Sequence, residues 1–213
     1  MKTILKTDCT GILTGWLFTT LLALALGATL RGDDDPRPVV DDSKAIVQTA
    51  ANPNLPTLYV VGDSTARNNE PLRGWGSEIG AFFDPAKINV VNRAIGGRSS
   101  RTFMTEGRWD KVLAELKPGD FVLVQFGHND EGDYKDPKAK GRPSIRGEGE
   151  DTAEAFKSDL KTMETIHSFG WYMRKFATDA EAKGATPILL SMVPHKNWKD
   201  GKISRGEQNT FVA

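Results

Sequence analysis

The chain has 213 residues, with 28 lysines and arginines against 28 aspartates and glutamates, so its formal net charge at pH 7 is zero. This length suits one α/β domain and, once an export segment is set aside, is too short for two. The balanced charge excludes a global electrostatic attraction to nucleic acid, to an anionic membrane or to a polyacidic substrate, so any specificity must be local.

The N-terminal segment has the pattern of a secretory signal peptide. Lys2 and Lys6 precede an apolar run over residues 11–26, which small residues follow. A basic start, a short apolar core and a small-residue exit are typical of such a peptide. The run is also shorter than the about 20 residues that a membrane-spanning helix needs. We assign residues 1–28 to a signal peptide and expect a secreted or periplasmic protein; the alternative is an uncleaved N-terminal anchor.

Residues 29–56 are predicted to link the signal peptide to the domain. Most of this stretch is rich in Asp and Pro and has no sustained period of a helix or strand. The domain is assigned to residues 57–213. The one cysteine, Cys9, lies in the predicted signal peptide. Disulfides and thiolate metal sites are therefore excluded from the mature protein.

Strands and helices are predicted to alternate along the domain. Four continuous apolar runs predict strands buried on both faces, over residues 57–61, 88–92, 120–126 and 187–193. Three segments of helical period are also predicted, over residues 75–83, 108–116 and about 153–183, the last with a possible interruption at Gly170. This alternation indicates βαβ units with right-handed crossovers and an α/β fold with a parallel sheet.

A long polar segment, residues 130–151, interrupts this alternation. It is rich in Gly and too poor in apolar residues to belong to the core. Its length favours a binding loop or a mobile lid over a simple connector.

Polar residues and glycines follow three of the predicted strands, where ligands bind in a parallel sheet. These segments are Gly62-Asp63-Ser64-Thr65, residues 94–99 with a Gly-Gly turn, and Gly127-His128-Asn129-Asp130. A serine at a tight turn suits a nucleophile, and a Gly-Gly turn brings a backbone N–H close to a substrate. With an asparagine carboxamide, these donors predict an oxyanion hole for acyl transfer. The alternative is that each residue is an ordinary turn residue.

The same segments resemble the conserved blocks of a known superfamily. Gly62-Asp63-Ser64 resembles the first block of the SGNH (GDSL-like) hydrolases, Gly97 the glycine of the second, and residues 127–130 the G-x-N-D of the third. Within that superfamily, residues 62–66, 96–103, 127–130 and 164–172 resemble rhamnogalacturonan acetylesterases and their bacterial relatives.

This resemblance runs from about Leu58 to the end of the chain. It implies a flavodoxin-like, three-layer α/β/α fold with a parallel sheet, and it implies Ser64 as the nucleophile. The Ser64 N–H, the Gly97 N–H and the Asn129 side chain are implied as the oxyanion hole. No metal and no organic cofactor is implied.

The fourth block of the superfamily, Asp-x-x-His, does not occur in the sequence. This block supplies the general base, so we expect the C-terminal strand and closing helix of the fold to be missing and the intact gene to continue past Ala213. His128, His167 and His195 are the candidates to replace the base. By resemblance His128 orders its own loop, and His167 is interpreted as packed or substrate-facing. His195 follows the fourth predicted strand, on the correct rim.

The substrate-binding candidates are Arg98 and His195. Arg98 and Arg101 follow the second-block glycine. A guanidinium binds a carboxylate through two parallel hydrogen bonds, so one interpretation is that these arginines contact an acidic sugar. The alternative is that both occupy solvated positions on the rim. The resulting prediction is an exported serine esterase that deacetylates a pectic or related polysaccharide through a Ser64 acyl-enzyme.

The predicted partner is thus an acetylated polysaccharide or oligosaccharide, with no nucleic acid and no stable membrane association after signal cleavage. Two alternatives remain. One is a catalytically impaired SGNH protein or glycan-binding remnant, and the other is an SGNH lipase or aryl esterase.

Overall fold

The computed structural model of the chain describes residues 52–69, 71–195 and 197–203. The predicted signal peptide, residues 1–28, and nearly all of the predicted linker, residues 29–56, lie outside these ranges. None of the described helices combines the length and the apolar character needed to cross a membrane.

The described part of the chain alternates strands with helices. In chain order the elements are β1 (Thr57–Gly62), α1 (Trp75–Glu78), a 3₁₀ helix (Ile79–Phe82), β2 (Asn89–Asn92), α2 (Ser100–Thr105), α3 (Arg108–Glu115), β3 (Phe121–Gln125), a 3₁₀ helix (Pro137–Ala139), β4 (Thr152–Phe156), β5 (Met163–His167), α4 (Phe169–Ala182), β6 (Thr186–Leu189), β7 (Trp198–Lys199) and β8 (Lys202–Ile203).

The main sheet has four parallel strands in the order β2-β1-β3-β6. This is the strand order of a flavodoxin-like, doubly wound sheet, so the predicted fold class is confirmed. Val60 of β1 pairs with Asn92 of β2, and Gly62 pairs with Gln125 of β3. The carboxyl ends of these three strands therefore meet at one edge of the sheet.

Helices cover both faces of the main sheet. Neighbouring residues of β1 contribute to different core clusters, with Val61 in one and Val60 in the other. The Val61 face packs against α2, α3 and α4 through a cluster of buried aromatic side chains: Phe103, Trp109, Phe126, Phe169 and Phe176. The Val60 face packs against α1 and the following 3₁₀ helix through Trp75 and Ile79. The three predicted layers are present.

The helix predicted over residues 153–183 is wrong in its first half, which forms the antiparallel hairpin β4–β5. Asp159 closes its turn by accepting hydrogen bonds from the backbone amides of Lys161 and Thr162. One side of the hairpin is buried, with Ile166 fully enclosed. The helix begins only after Ser168, whose hydroxyl caps it by accepting a hydrogen bond from the Trp171 amide.

The other predicted boundaries differ less from the structure. The helix predicted over 75–83 is a short α-helix continued by a 3₁₀ helix, and the strand predicted over 187–193 ends at Leu189. Helix α2 was not predicted. Residues 130–151 form a loop with one 3₁₀ turn, as expected, and Ile145 within it bridges to Ser168 beside α4.

Candidate active site

The first turn of the site, directly after β1, holds Ser64 in a fixed elbow. Asp63 is buried, and its Oδ1 accepts hydrogen bonds from the amide and the hydroxyl of Thr65, both at 2.8 Å. Burial raises the pKa of the Asp63 carboxyl, while the bonds from Thr65 and the nearby His128 act in the opposite direction. Ser64 is half-buried, and no described residue hydrogen-bonds its Oγ. The hydroxyl is therefore held at the rim and open to a reaction partner.

The second turn, after β2, packs directly on this elbow. A Cβ placed on Gly96 would lie 3.5 Å from the Cβ of Ser64. Gly97 has a φ of +79°, which favours glycine, and nothing lies within 4 Å of the place where its Cβ would be. The space beside the Cα of Gly97 is therefore open, which permits a close approach to its backbone.

Arg98 fixes this second turn. Its Nη1 donates to Gly96 O at 3.2 Å, and its Nε donates to Glu106 Oε2 at 3.0 Å. The guanidinium thus has two protein partners already. Its predicted contact with substrate stays a prediction.

The third turn, after β3, presents the carboxamide of Asn129. Its Nδ2 donates to Arg98 O at 3.0 Å, and its Oδ1 accepts from Arg142 Nη1 at 3.2 Å. A carboxamide nitrogen carries two N–H groups, so one remains for a ligand. The side chain is therefore oriented from both ends while one donor is kept available.

Asp130 joins the third turn to helix α2. It is fully buried and accepts hydrogen bonds from the amide of Ser100 at 3.1 Å, from the Ser100 hydroxyl at 2.5 Å and from the Ser144 hydroxyl at 3.2 Å. Burial raises the pKa of Asp130 to about 6, with a smaller contribution from the nearby Asp63 carboxylate and against the lowering effect of the hydrogen bonds from Ser100 and Ser144. The start of α2 is also capped by Ser99, which accepts from the Thr102 amide.

Gln125, the last residue of β3, connects the elbow to two other segments and was not predicted as part of the site. Its Oε1 accepts from Trp75 Nε1 at 2.6 Å and from Thr65 Oγ1 at 3.1 Å, and its Nε2 donates to Ser191 O at 2.8 Å. A signal was present in the sequence, because this glutamine ends an otherwise apolar strand at the edge where ligands bind.

Two of the three histidines lie together beyond β3 and β6. The rings of His128 and His195 stack with their centroids 4.0 Å apart, and His128 Nε2 lies 2.6 Å from Val193 O. His195 Nε2 lies 3.6 Å from Glu131 Oε1, too far for a hydrogen bond, and both atoms are buried without one. Burial raises the pKa of the Glu131 carboxyl, against the effect of the two histidines.

His167 lies on strand β5, outside the three turns. Its ring stacks on Trp171 with centroids 3.7 Å apart, and burial lowers its pKa. No histidine is hydrogen-bonded to Ser64 Oγ in the part of the chain that the structure describes. The described residues therefore do not place a base on the serine, and the predicted oxyanion donors stay a prediction.

Both interpretations of Arg101, contact with an acidic sugar and a solvated rim position, are wrong. Its side chain is fully buried and forms an ion pair with Glu164 on β5, 2.6 Å apart. It also donates to the backbone oxygens of Pro143 and Phe156. The residue joins α2 to the hairpin and the long loop. Among the described residues no group of three or more His, Cys, Asp or Glu could hold a metal ion.

Comparisons with known proteins show which family the chain is similar to. The sequence model of the GDSL-like lipase/acylhydrolase family matches residues 60–209. The chain is 35% identical over 156 residues to a rhamnogalacturonan acetylesterase of Emericella nidulans, covering 73% of this chain and 60% of that protein. It is 32% identical over 147 residues to the probable rhamnogalacturonan acetylesterase YesY of Bacillus subtilis, covering 68% of this chain and 57% of that protein.

Among solved structures, the crystal structure of protein YxiM from Bacillus subtilis is 32% identical, with a TM-score of 0.47. The match covers 66% of this chain and 33% of that one. The chain thus spans no more than 60% of the length of the two curated relatives above.

Proposed function

Because the chain belongs to the GDSL-like lipase/acylhydrolase family, we propose that it is a serine esterase that removes acetyl groups from an acetylated polysaccharide. The names of the two relatives support rhamnogalacturonan as that polysaccharide. We also propose that the protein is exported, on the pattern of residues 1–28.

One observation carries the proposal, namely the convergence of three strand-end turns on Ser64. The second turn contacts the elbow through Gly96, and Asn129 of the third turn is bonded to the backbone of the second through Arg98 O. Donors fixed in this way need little reorganisation when negative charge develops, which is the main requirement of an oxyanion hole.

In the proposed reaction, Ser64 Oγ attacks the carbonyl carbon of the acetyl group, and the carbonyl oxygen becomes an oxyanion. The Ser64 N–H, the Gly97 N–H and the remaining N–H of Asn129 donate to that oxygen. Collapse breaks the bond to the sugar oxygen, which takes up the proton that the serine lost. Water then attacks the acetyl-serine, releases acetate and restores the hydroxyl.

The proton of Ser64 needs an acceptor, because an unassisted serine hydroxyl is a weak nucleophile at neutral pH. No histidine within the described ranges is bonded to Ser64 Oγ. We therefore expect slow turnover by the 213-residue chain alone, and acceleration when imidazole is added as a soluble base. The Asp-x-x-His segment beyond Ala213 stays a prediction.

The test is acetate release from acetylated rhamnogalacturonan oligosaccharide, and from a neutral aryl acetate, with and without imidazole. Imidazole should stimulate release by the unsubstituted chain, and Ser64→Ala should reduce it to the rate of buffer with imidazole. Ser158→Ala, which alters an exposed serine in the hairpin turn, is the matched control and should keep full activity. Equal rates for the unsubstituted chain and Ser64→Ala would contradict the proposal.

Two further measurements address the remaining parts of the proposal. Hydrolysis of longer-chain aryl esters in the same assay tests the lipase alternative, and a preference for long acyl chains would favour it over acetyl removal. N-terminal sequencing of the protein recovered outside the cytoplasm tests export. A start near residue 29 supports cleavage, and an intact Met1 argues against it.

A further inference from the structure

The tip of the hairpin β4–β5 exposes apolar side chains. Phe156, Leu160 and Met163 are 49%, 40% and 48% exposed. Phe156 and Met163 lie directly opposite each other in the register of the two strands, so their side chains share one face of the hairpin. The other face carries the buried side chains of Ala155 and Ile166. The apolar tip therefore points into solvent instead of into the core.

Leu160 has a backbone conformation that its side chain does not favour. Its φ is +56°, in the left-handed region that glycine and asparagine enter most readily. The turn is closed by backbone hydrogen bonds that any of these residue types can make. The Leu160 amide donates to Lys157 O at 2.9 Å, and the Lys157 amide donates to Thr162 O at 2.7 Å. Neither the turn nor the core thus requires a leucine at this position.

Basic residues surround the apolar tip. Residues 156–163 contain two lysines and one aspartate, and residues 138–142 contain three basic residues and no carboxylate. The two segments are in contact, since a Cβ on Gly141 would lie 2.5 Å from the carbonyl carbon of Lys157. The tip therefore has a local positive charge although the whole chain is neutral.

Three of these lysines are exposed and available to a partner. Lys138, Lys140 and Lys161 form no ion pair with any residue that the structure describes. Asp159, the aspartate of the turn, accepts from backbone amides within that turn and attracts Lys157. The carboxylates of the two segments thus leave most of the positive charge uncompensated.

We propose that this tip, formed by Phe156, Leu160, Met163 and the exposed lysines around them, binds reversibly to the surface of an anionic lipid bilayer. Lysines attract the acidic headgroups, and apolar side chains enter the boundary between the headgroups and the acyl chains. The tip is held from below, because the buried Arg101 donates to Phe156 O. A second copy of this chain fits less well, because two positive tips repel each other.

This role lies outside the proposed esterase chemistry and uses none of the three turns at Ser64. Three partly exposed apolar side chains do not anchor a protein permanently. The contact therefore differs from the stable membrane association that the sequence analysis excluded.

The test places a polarity-sensitive dye at the tip, through Ser158→Cys in a Cys9→Ser background, and titrates the full chain with vesicles. The apolar run of residues 11–26 can itself bring the chain to a vesicle, so the readout is the dye and not co-sedimentation. Emission should rise on vesicles of equal parts phosphatidylglycerol and phosphatidylcholine, and stay near the lipid-free value on phosphatidylcholine alone. The same dye at Thr178→Cys, an exposed position of α4, should respond to neither.

Three substitutions separate the charge of the tip from its apolar surface. Lys138→Glu should raise the lipid concentration for half-maximal emission by about fivefold or more, since one lysine near an anionic surface contributes about that factor. Lys183→Glu makes an equal change in net charge at the far end of α4 and should change this concentration by less than about twofold. Leu160→Asn suits the positive φ, so it should keep the fold and weaken binding by about threefold or more.

Several results would overturn the proposal. These are no rise in emission at Ser158→Cys, an equal rise at Thr178→Cys, an equal rise on neutral vesicles, equal weakening by Lys138→Glu and Lys183→Glu, and full binding by Leu160→Asn. Poly-glutamate is the last probe. The same rise with this soluble acidic polymer would assign the tip to acidic proteins instead of lipid, and no rise supports the lipid surface. Acetate release is not measured, so failure here leaves the proposed esterase intact.

Discussion

The two sides of Ser64 differ in how completely their polar groups are paired. On the side that faces β2 and α2, Asn129 and Asp130 of the turn after β3 bond to Arg98 O and to the Ser100 amide. On the side of β6, His195 Nε2 and Glu131 Oε1 are buried and lack hydrogen bonds. The edge strand there also exposes an apolar side chain, Leu189, to 46%.

This difference corresponds to two separate requirements of acyl transfer. Stabilising an oxyanion requires donors that are fixed before the reaction, and the proposed donor Asn129 is held by two hydrogen bonds on the β2 side. Activating the serine requires a base in hydrogen-bond contact with it, and no described histidine has that contact. We infer that the β2 side is the rigid, charge-stabilising half of the site, and each prediction below tests that contrast.

Arg101→Ala should produce the largest loss of stability, because the substitution breaks a buried ion pair on the β2 side. Glu164 and two backbone oxygens would lose their partner, which typically costs about 3–5 kcal/mol of the free energy of unfolding. Urea denaturation measures it. Arg174→Ala, which removes an exposed ion pair with Glu150 and exposed hydrogen bonds to Glu148 O and Gly149 O, should cost about 1 kcal/mol. Similar losses of stability for the two variants would show that the buried contacts of Arg101 do not stabilise the β2 side.

Asn129→Ala should lower the rate of acetate release from a neutral aryl acetate by about 100- to 1,000-fold, the typical effect of losing one oxyanion donor. The measurement is made with imidazole present, so that the base does not limit the comparison. Asn54→Ala, at an exposed position near the start of the described chain, should leave the rate unchanged. A loss below about tenfold for Asn129→Ala would remove this residue from the oxyanion hole.

Asp130 should make the free energy of unfolding decrease as the pH rises. Its pKa is raised from 3.8 to about 6 by burial, so between these values the folded state holds a proton that the unfolded chain has released. A shift of about two pH units corresponds to about 3 kcal/mol. Between about pH 4 and pH 7, the free energy of unfolding of the unsubstituted chain should therefore fall relative to that of Asp130→Asn. A difference that does not change with pH would show that Asp130 is not the titrating group.

Ser99→Ala should cost about 1 kcal/mol, because it removes the N-terminal cap of α2. Urea denaturation at neutral pH measures this loss. Ser99→Asp, which restores a capping oxygen, should recover less than Ser99→Thr because Ser99 is fully buried and a carboxylate there is desolvated. If Ser99→Ala were as stable as the unsubstituted chain, the cap would not be needed for the stability of the fold.

His195→Ala, on the β6 side, should change the free energy of unfolding by no more than about 0.5 kcal/mol. The ring stacks on His128 but has no hydrogen bond to lose. Thermal and urea unfolding both measure it. A loss of about 2 kcal/mol or more would show that the β6 side is paired as tightly as the β2 side.

The sequence was sufficient to predict the parallel sheet and the three turns that follow β1, β2 and β3, because buried strands and strand-end motifs are local signals. It was not sufficient for the hairpin β4–β5, whose residues include many helix formers. There the fold is decided by distant contacts, in which Arg101 of α2 pairs with Glu164 and Ile145 of the loop bonds to the backbone around Ser168. A single residue's neighbours in the chain do not reveal such contacts.

The roles of the individual site residues divide in the same way. Ser64, Gly97 and Asn129 could be named from motifs, and the structure places their turns together. The connections that orient those turns, through Gln125 and Asp130, depend on residues 14 to 66 positions apart. The cap of α2 pairs Ser99 with Thr102 and lacks the Glu or Gln of the usual capping box, so the sequence held only a weak signal for this helix.

The indole of Trp75 gives the site an optical reporter of its own. Its N–H is bonded to the same Gln125 oxygen that receives the hydroxyl of Thr65, directly after Ser64. The fluorescence emission of an indole responds to the strength of that bond and to local polarity. The difference in emission between the unsubstituted chain and Trp75→Phe isolates this ring among the five tryptophans. Ligand occupancy at the elbow then becomes visible without a chromogenic substrate and without turnover.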